Sequence, residues 1–341
     1  MADIAEPIGA PVNTADSRSE TIAFVAMTAF LLIAPTFIYP VFLMKALCFA
    51  LFACAFNLLI GYVGLLSFGH ALFFGWAGYV TAHLAKIGTI SLPFWFGHWV
   101  WLVIPLPPLS PELSILGGAL VAALLGLVTG LLAIRRQGIY FAMITLALAQ
   151  MMFFFALQAK FTGGEDGIQA VPRGWLFGIF DLNNTMTMYF TVLGIFLISF
   201  LLIYRIINSP FGEVLKAIRE NENRAISLGY KTERYKLAAF VLSATLAGLA
   251  GGTKSLVFQL ASLTDVHWTM SGEVVLMTLV GGLGTIFGPV VGAFVIIAMQ
   301  NYLAGFGQWV TVIQGVIFVA CVLLFRRGVI GEIAHALRIR L

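Results

Sequence analysis

Ser67 and His70 stand in one short segment, LLSFGHALFF, where a hydroxyl and an imidazole could serve as nucleophile and base. No partner acid accompanies them and the chain has no GxSxG, so intramembrane hydrolysis is a weak reading. The nearest approach to a phosphate-binding loop is GLAGGTKS at 248–255, with Thr253 in place of the glycine that should precede the lysine. A phosphate cradle needs backbone amides exposed between a strand and a helix, whereas this segment lies inside an apolar run, so it is read as a decoy. His70, His83, His98, His267 and His335 show no HExxH and no i, i+4 pair, so no metal site is expected. Cys48, Cys54 and Cys321 lie in apolar runs without CxxC spacing and read as small packing residues.

The elements that position these groups follow from composition. The 341 residues are 60% hydrophobic and 10% charged with a mean hydropathy of +0.99, against roughly 25% charged residues in soluble domains. The expected fold class is therefore an all-α integral membrane protein. The net charge of +4 does not indicate nucleic acid, because the basic residues cluster where the chain leaves apolar runs. Residues 1–20 are polar, carry Asp3, Glu6, Asp16 and Glu20 against Arg18, have the wrong charge for a signal peptide, and are expected as a disordered tail.

About 20 apolar residues cross a bilayer. By that rule eight spans are expected at 22–40, 41–60, 66–86, 115–134, 138–158, 187–207, 237–258 and 308–325. Between 272 and 303, Gly281, Gly282, Gly284, Gly288 and Pro289 interrupt the run, and a pair of half-helices is expected. The glycines in 61–86 leave open whether that segment spans or re-enters. Arg135-Arg136, the loop 208–236 and Arg326-Arg327 all fall on one side by this count, the cytoplasmic side, with both termini. Residues 87–114 and 159–186 then lie outside, with Trp95, Trp99, Trp101 and Trp175 as interfacial anchors. A transmembrane domain is expected over 21–327, followed by a cytoplasmic tail at 328–341.

LIGYVGLLSFGHALFFG at 59–75 echoes LVGGLGTIFGPVVG at 279–292, with Gly61, Gly64 and Gly69 answering Gly281, Gly284 and Gly288 at offsets of 220, 220 and 219. An internal repeat is one reading; the other is that glycine-rich membrane helices resemble one another because small residues pack closely.

The polar stretch SPFGEVLKAIRENENRAISLGYKTERY at 209–235 holds an unusual share of the charge. Ser209 can cap a helix, Pro210 suits its first turn and Gly229 can end it. Phe211, Val214, Leu215, Ile218, Ala225 and Leu228 fall mostly on one stripe, with Lys216, Arg219, Glu220 and Asn223 largely elsewhere. Such an element could be levered by a partner, or could be a solvated loop whose basic residues only fix topology.

GEVLKAIRENENRAISLGYKTERYKLAAFVLSATLAGLAGG at 212–252 resembles the coupling loop and following span of the permeases of branched-chain amino-acid ABC importers. NLLIGYVGLLSFGHALFFGWAGY at 57–79, RQGIYFAMITLALAQM at 136–151, FTGGEDGI at 161–168 and GGLGTIFGPVVGA at 281–293 resemble further signatures of that family in the same order, the first of them in its LivM-type form. The resemblance implies a subunit of the bacterial cytoplasmic (inner) membrane working with a LivH-type sister permease, two cytoplasmic ATPases and an extracytoplasmic binding protein. It implies no cofactor in this chain, since ATP and magnesium would sit on the ATPases.

On that resemblance the coupling residues are Phe211, Gly212, Leu215, Ile218, Arg219, Glu220, Glu222 and Gly229, with Glu220 and Glu222 free to meet basic residues of an ATPase. Gly61, Gly64, Ser67, Gly69, Gly281, Gly284, Thr285 and Gly288 are candidates for the pathway and its gating, plain close packing being the alternative for each. Lys254 either snorkels from the outer end of its span or, as the alternative, faces the pathway or pairs with Glu273, influencing which solute passes. Lys45 and Lys86 read as snorkelling anchors. Thr162, Gly163, Gly164, Glu165, Asp166 and Gly167 form an outer turn that could meet a binding protein or merely connect two spans. Branched-chain or other small hydrophobic amino acids are the expected solutes, with urea, short amides or small carboxylated molecules as alternatives. An autonomous carrier or channel is the rival class, though it would use more ionisable residues inside the membrane than this chain offers.

Overall fold

The computed structural model describes residues 14–86, 89–95, 99–105, 109–136, 138–307 and 309–324. Arg326, Arg327, His98, His335 and the expected tail 328–341 lie outside these residues, as do residues 1–13. In chain order the elements are α1 (Thr14–Ile33), α2 (Pro40–Ile60), α3 (His70–Lys86), β1 (Thr89–Trp95), β2 (Trp99–Pro105), α4 (Pro111–Ala133) and α5 (Ile139–Gln158). Then come β3 (Ile168–Gln169), β4 (Trp175–Leu176), β5 (Phe180–Asp181), α6 (Thr185–Ile207), α7 (Pro210–Glu220) and α8 (Glu222–Ser227). The chain continues through α9 (Thr232–Phe258), β6 (Leu260–Ala261), α10 (Trp268–Gly281), α11 (Gly288–Tyr302) and α12 (Trp309–Leu324).

Five of these helices, α2, α4, α5, α6 and α9, are long and apolar enough to cross a membrane. α1, α3 and α12 occupy the other three expected positions, but α3 has 17 residues and α12 has 16. α1 begins at Thr14, inside the stretch expected as a disordered tail, and the expected span at 66–86 is helical only from His70. Residues 61–69 leave the helix, so the chain unwinds between α2 and α3. Between α10 and α11 the expected half-helices are present, separated at 282–287.

The packing follows from which helices are apolar on all sides. α2 opens on Pro40, whose fixed φ suits a first turn, and is 89% buried over its apolar window, whereas α5 is 28% buried. α2 and α9 therefore form the axis of the bundle and α5 its edge. Small residues bring α3, α4 and α9 together: a Cβ on Gly251 would stand 1.9 Å from the Phe74 carbonyl oxygen, and one on Gly248 would stand 2.4 Å from the Ala122 Cβ. The P-loop decoy is thus a helical packing face. The exposed large side chains of α4 and α6, such as Leu116, Leu120, Phe190 and Ile198, suit lipid or another apolar chain.

Two ends can be told apart. α7 and α8 project from one, the polar end, together with the start of α9. The α4–α5 connection lies at that end too, because a Cβ on Gly130 would meet Leu237 and Phe240 of α9, so Arg135-Arg136 and the polar insert share a side as the charge count requires. The far end carries short antiparallel pairs, β1 with β2, β3 with β6 and β4 with β5, which are the strands among the described residues of an otherwise helical fold. Trp175 of β4 is 56% exposed there, in keeping with an interfacial anchor.

Candidate functional site

At the polar end the insert forms two helices rather than the single one expected between Ser209 and Gly229. Ser209 caps α7, its hydroxyl accepting from the Gly212 amide at 3.4 Å, and Pro210 takes the first turn. The helix stops at Asn221, whose backbone is extended and whose side chain accepts from the Arg224 amide at 3.0 Å, capping α8. Gly229 follows α8 at φ +91°, a left-handed position that ends the helix as expected.

The inner face of this element is spent on its own chain. Leu215 and Ile218 are buried, Phe211 stacks on Tyr235 at 5.7 Å between ring centres, and a Cβ on Gly212 would fall 2.1 Å from the Ile207 carbonyl oxygen. Glu222 is not free for a partner: it pairs with Lys236 at 2.5 Å and accepts from the Thr232 hydroxyl at 3.1 Å. Of the expected coupling residues, Glu220, Arg219 and Gly229 remain exposed. The outer face adds Ile226, 52% exposed, and Leu228, 70% exposed, which are apolar side chains in water. Leu228, counted in the apolar stripe of a single helix, and Ile226, which that reading omitted, both face water because the break at Asn221 re-aims α8.

The two glycine segments meet beside α7. Asn57 of α2 donates from Nδ2 to the Thr285 carbonyl at 2.9 Å and accepts from the Gly284 amide at 3.1 Å, pinning the α10–α11 turn to the end of α2. Gly64 and Gly284, the pair at an offset of 220, both have left-handed backbones, φ +80° and +76°. Arg219 donates from Nη1 to the Gly61 carbonyl. A cleft of about 440 Å³ lined by Tyr62, Lys216, Arg219, Glu220 and Gly284 opens between α7 and the two breaks.

The remaining pathway candidates divide. Gly281 and Gly288 are packing positions, since a Cβ on Gly281 would lie 1.9 Å from the Gly288 carbonyl oxygen, and the Thr285 hydroxyl donates to the Gly282 carbonyl at 2.8 Å. Ser67 is buried, its hydroxyl accepting from the Gly69 amide at 3.2 Å, and Gly69 abuts the Thr145 carbonyl of α5. His70 is also buried, 2.8 Å from the Ser243 hydroxyl and edge-on to Phe56, Phe73 and Phe240, a packed histidine rather than the base for Ser67. Among the described residues no group of three His, Cys, Asp or Glu could hold a metal.

Lys254 pairs with Asp265, not with Glu273, and its ammonium lies 5.7 and 5.6 Å from the ring centres of Phe49 and Phe74. It does not take its expected partner; Glu273 accepts instead from the Gln300 amide at 3.0 Å. Lys86 donates to the Gln169 carbonyl at 2.5 Å.

At the far end, Thr162 is buried and donates to the Ala156 and Ala159 carbonyls, 2.6 Å each, closing the end of α5. Gly163 and Gly164 turn the chain with left-handed backbones, and Arg173 ties the following loop to α9 by donating to the Val257 carbonyl at 2.6 Å. Of the expected outer docking residues, Gly163 and Asp166, together with Glu165, face outward and Thr162 does not.

The model of one protein family, described as the branched-chain amino acid transport system permease component, matches residues 39–325. The chain belongs to that family. This permease is 24% identical to the high-affinity branched-chain amino acid transport system permease protein LivM of Escherichia coli K12, over 83% of its own length and 68% of the relative's. It is 29% identical to the LivH permease of Methanocaldococcus jannaschii, over 46% and 51% of the two chains. It is also 29% identical to the ribose import permease RbsC of Bacillus subtilis, over 53% and 58%. The LivM-type resemblance read from residues 57–79 is in agreement with these relatives. No solved structure matches the chain.

Proposed function

We propose that this chain is the LivM-type half of the translocation pathway in an ATP-driven importer of branched-chain or other small hydrophobic amino acids. The polar end faces the cytoplasm, the membrane is the bacterial inner membrane, and α7 with α8 seats in a groove of one of two ATPase subunits that bind ATP and magnesium. A LivH-type sister supplies the other half of the pathway, and an extracytoplasmic binding protein delivers solute at the far end near Glu165 and Asp166. No covalent chemistry takes place in this chain.

The observation that carries the reading is the two-sidedness of the insert. Leu215, Ile218 and Glu222 are committed inward, while Ile226 and Leu228 stand in solvent and Glu220, with Lys216 and Arg219, borders the cleft beside the breaks at 61–69 and 282–287. A topology-determining loop needs no exposed apolar edge and no contact with the membrane breaks. ATP-driven closure of the ATPases moves this element, and inverting a 99:1 preference between inward- and outward-open states takes about 5.5 kcal/mol of differential binding. The relationship to a ribose permease favours a division of labour in which the binding protein sets much of the solute choice.

Purification from native membranes in mild detergent, with subunit ratios determined by mass spectrometry, tests the assembly. Two ATPases and one sister permease per copy are expected. A chain that comes alone or as a homo-oligomer, under conditions where a reference importer stays whole, supports an autonomous carrier instead.

A further inference from the structure

We propose that Arg219 is the positioning residue through which movement of α7 reaches both glycine breaks. The inference rests on the reading of α7 and α8 as the ATPase-docking element and adds the route by which its movement enters the membrane.

The geometry is specific to one side chain. The Arg219 guanidinium donates to the Gly61 carbonyl, which lies past the last residue of α2 and so outside that helix's own hydrogen-bond ladder. The stem of the same residue occupies the space a side chain at Gly64 would need: a Cβ there would stand 3.2 Å from Cγ. Across the cleft, a Cβ on Gly284 would stand 3.1 Å from Nη1 and 3.4 Å from the Gly61 carbonyl oxygen. One arginine therefore fills the room left by two glycines that sit 220 residues apart in sequence and share a left-handed backbone.

Electrostatics agrees with the packing. α2 ends at Ile60 and α10 at Gly281, so both present carbonyl ends, the negative poles of their dipoles, to the region where Arg219 lies. A planar guanidinium can hold a carbonyl with one nitrogen while keeping others in water. The cleft beside it leaves that water access, so the contact can form and break without stranding a buried charge. Asn57 closes the arrangement by holding Gly284 and Thr285 to α2, which makes the two breaks one unit with a single polar handle on α7.

The test uses the whole importer in lipid nanodiscs, with nitroxide labels at Ala217 of α7 and Leu283 of the break, both exposed. Their separation is measured without nucleotide and with ATP trapped by vanadate. In the native sequence the separation stays constant, because α7 and the break move together. In R219A it shifts on trapping, because α7 moves without the break, and R219K, which keeps a cation at the two helix ends, restores most of the constancy. An R219A assembly that retains both ATPases and keeps the native constancy overturns the proposal while leaving the docking reading intact. Should R219A fail to assemble, Arg219→Met takes its place, which keeps the stem beside Gly64 but removes the guanidinium that reaches Gly61 and Gly284, and a constant separation there likewise overturns it. An unaltered chain that binds no ATPase removes the docking reading and the proposal with it.

Discussion

Glu222 of α8 and Lys236 of α9 form an ion pair of 2.5 Å with the lysine side chain only 4% exposed, so an acid that looks available to a partner instead fastens the insert to the bundle. Removing one member of a buried pair strands the other and typically costs about 3–5 kcal/mol, less here because the Glu222 side chain is 20% exposed. Glu222→Ala is expected to loosen residues 222–231 while the spans stay folded. Hydrogen exchange should show faster amide exchange confined to that segment; unchanged protection would mean that the pair does not hold α8.

The exposed edge of α8 gives a prediction of the opposite kind. Ile226→Asp and Leu228→Asp add charge where the side chains already meet water, so stability should stay within about 0.5 kcal/mol of the parent. Loss of ATPase from the purified complex is expected nonetheless, with affinity weakened about tenfold or more per substitution. Leu215→Asp, at a buried position, should destabilise the insert itself, and a thermal melt separates the two cases.

Gly64, Gly284 and Gly178 all have positive φ, +80°, +76° and +71°, but a Cβ on Gly178 would meet nothing within 4 Å. Alanine at Gly178 should therefore cost only backbone strain, about 1–2 kcal/mol. Alanine at Gly64 or Gly284 carries the same strain and also crowds Arg219, so it should lower the melting temperature further. Equal shifts at all three positions would show that the contact with Arg219 has no energetic weight.

Lys254 and Asp265 offer a double-mutant cycle. Lys254→Met leaves a buried aspartate, 6% exposed, without its partner, and about 3–5 kcal/mol should be lost. Adding Asp265→Leu should recover much of the loss, since an apolar pair can replace a buried ion pair at little cost. If the single variant is as stable as the parent, the pair is not a structural clasp.

Much of the architecture was legible in the sequence because apolar length and glycine placement act locally. Pro40, Ser209, Pro210 and Gly229 mark boundaries by backbone chemistry alone, and Gly281 to Pro289 announced the broken pair. What escaped depended on partners distant in the chain. Nothing near Lys254 distinguishes Asp265 from Glu273 as its partner, because the choice is made by the turn that brings 263–265 back against α9. The division of the insert at Asn221 escaped for a different reason: its inward stripe nearly continues across the break, so the periodicity hides the cap. The glycine echo was legible as a pattern, and its physical content, two left-handed breaks around Arg219, needed the fold.

The most direct test of the account is the reactivity of Leu228→Cys toward a membrane-impermeant maleimide, compared between the assembled complex and the same complex stripped of its ATPases. Protection in the assembled state and rapid labelling after stripping are predicted, because α8 would lie in the ATPase groove. Equally rapid labelling in both states, with the ATPases verified to be present in the first, would contradict docking through this element.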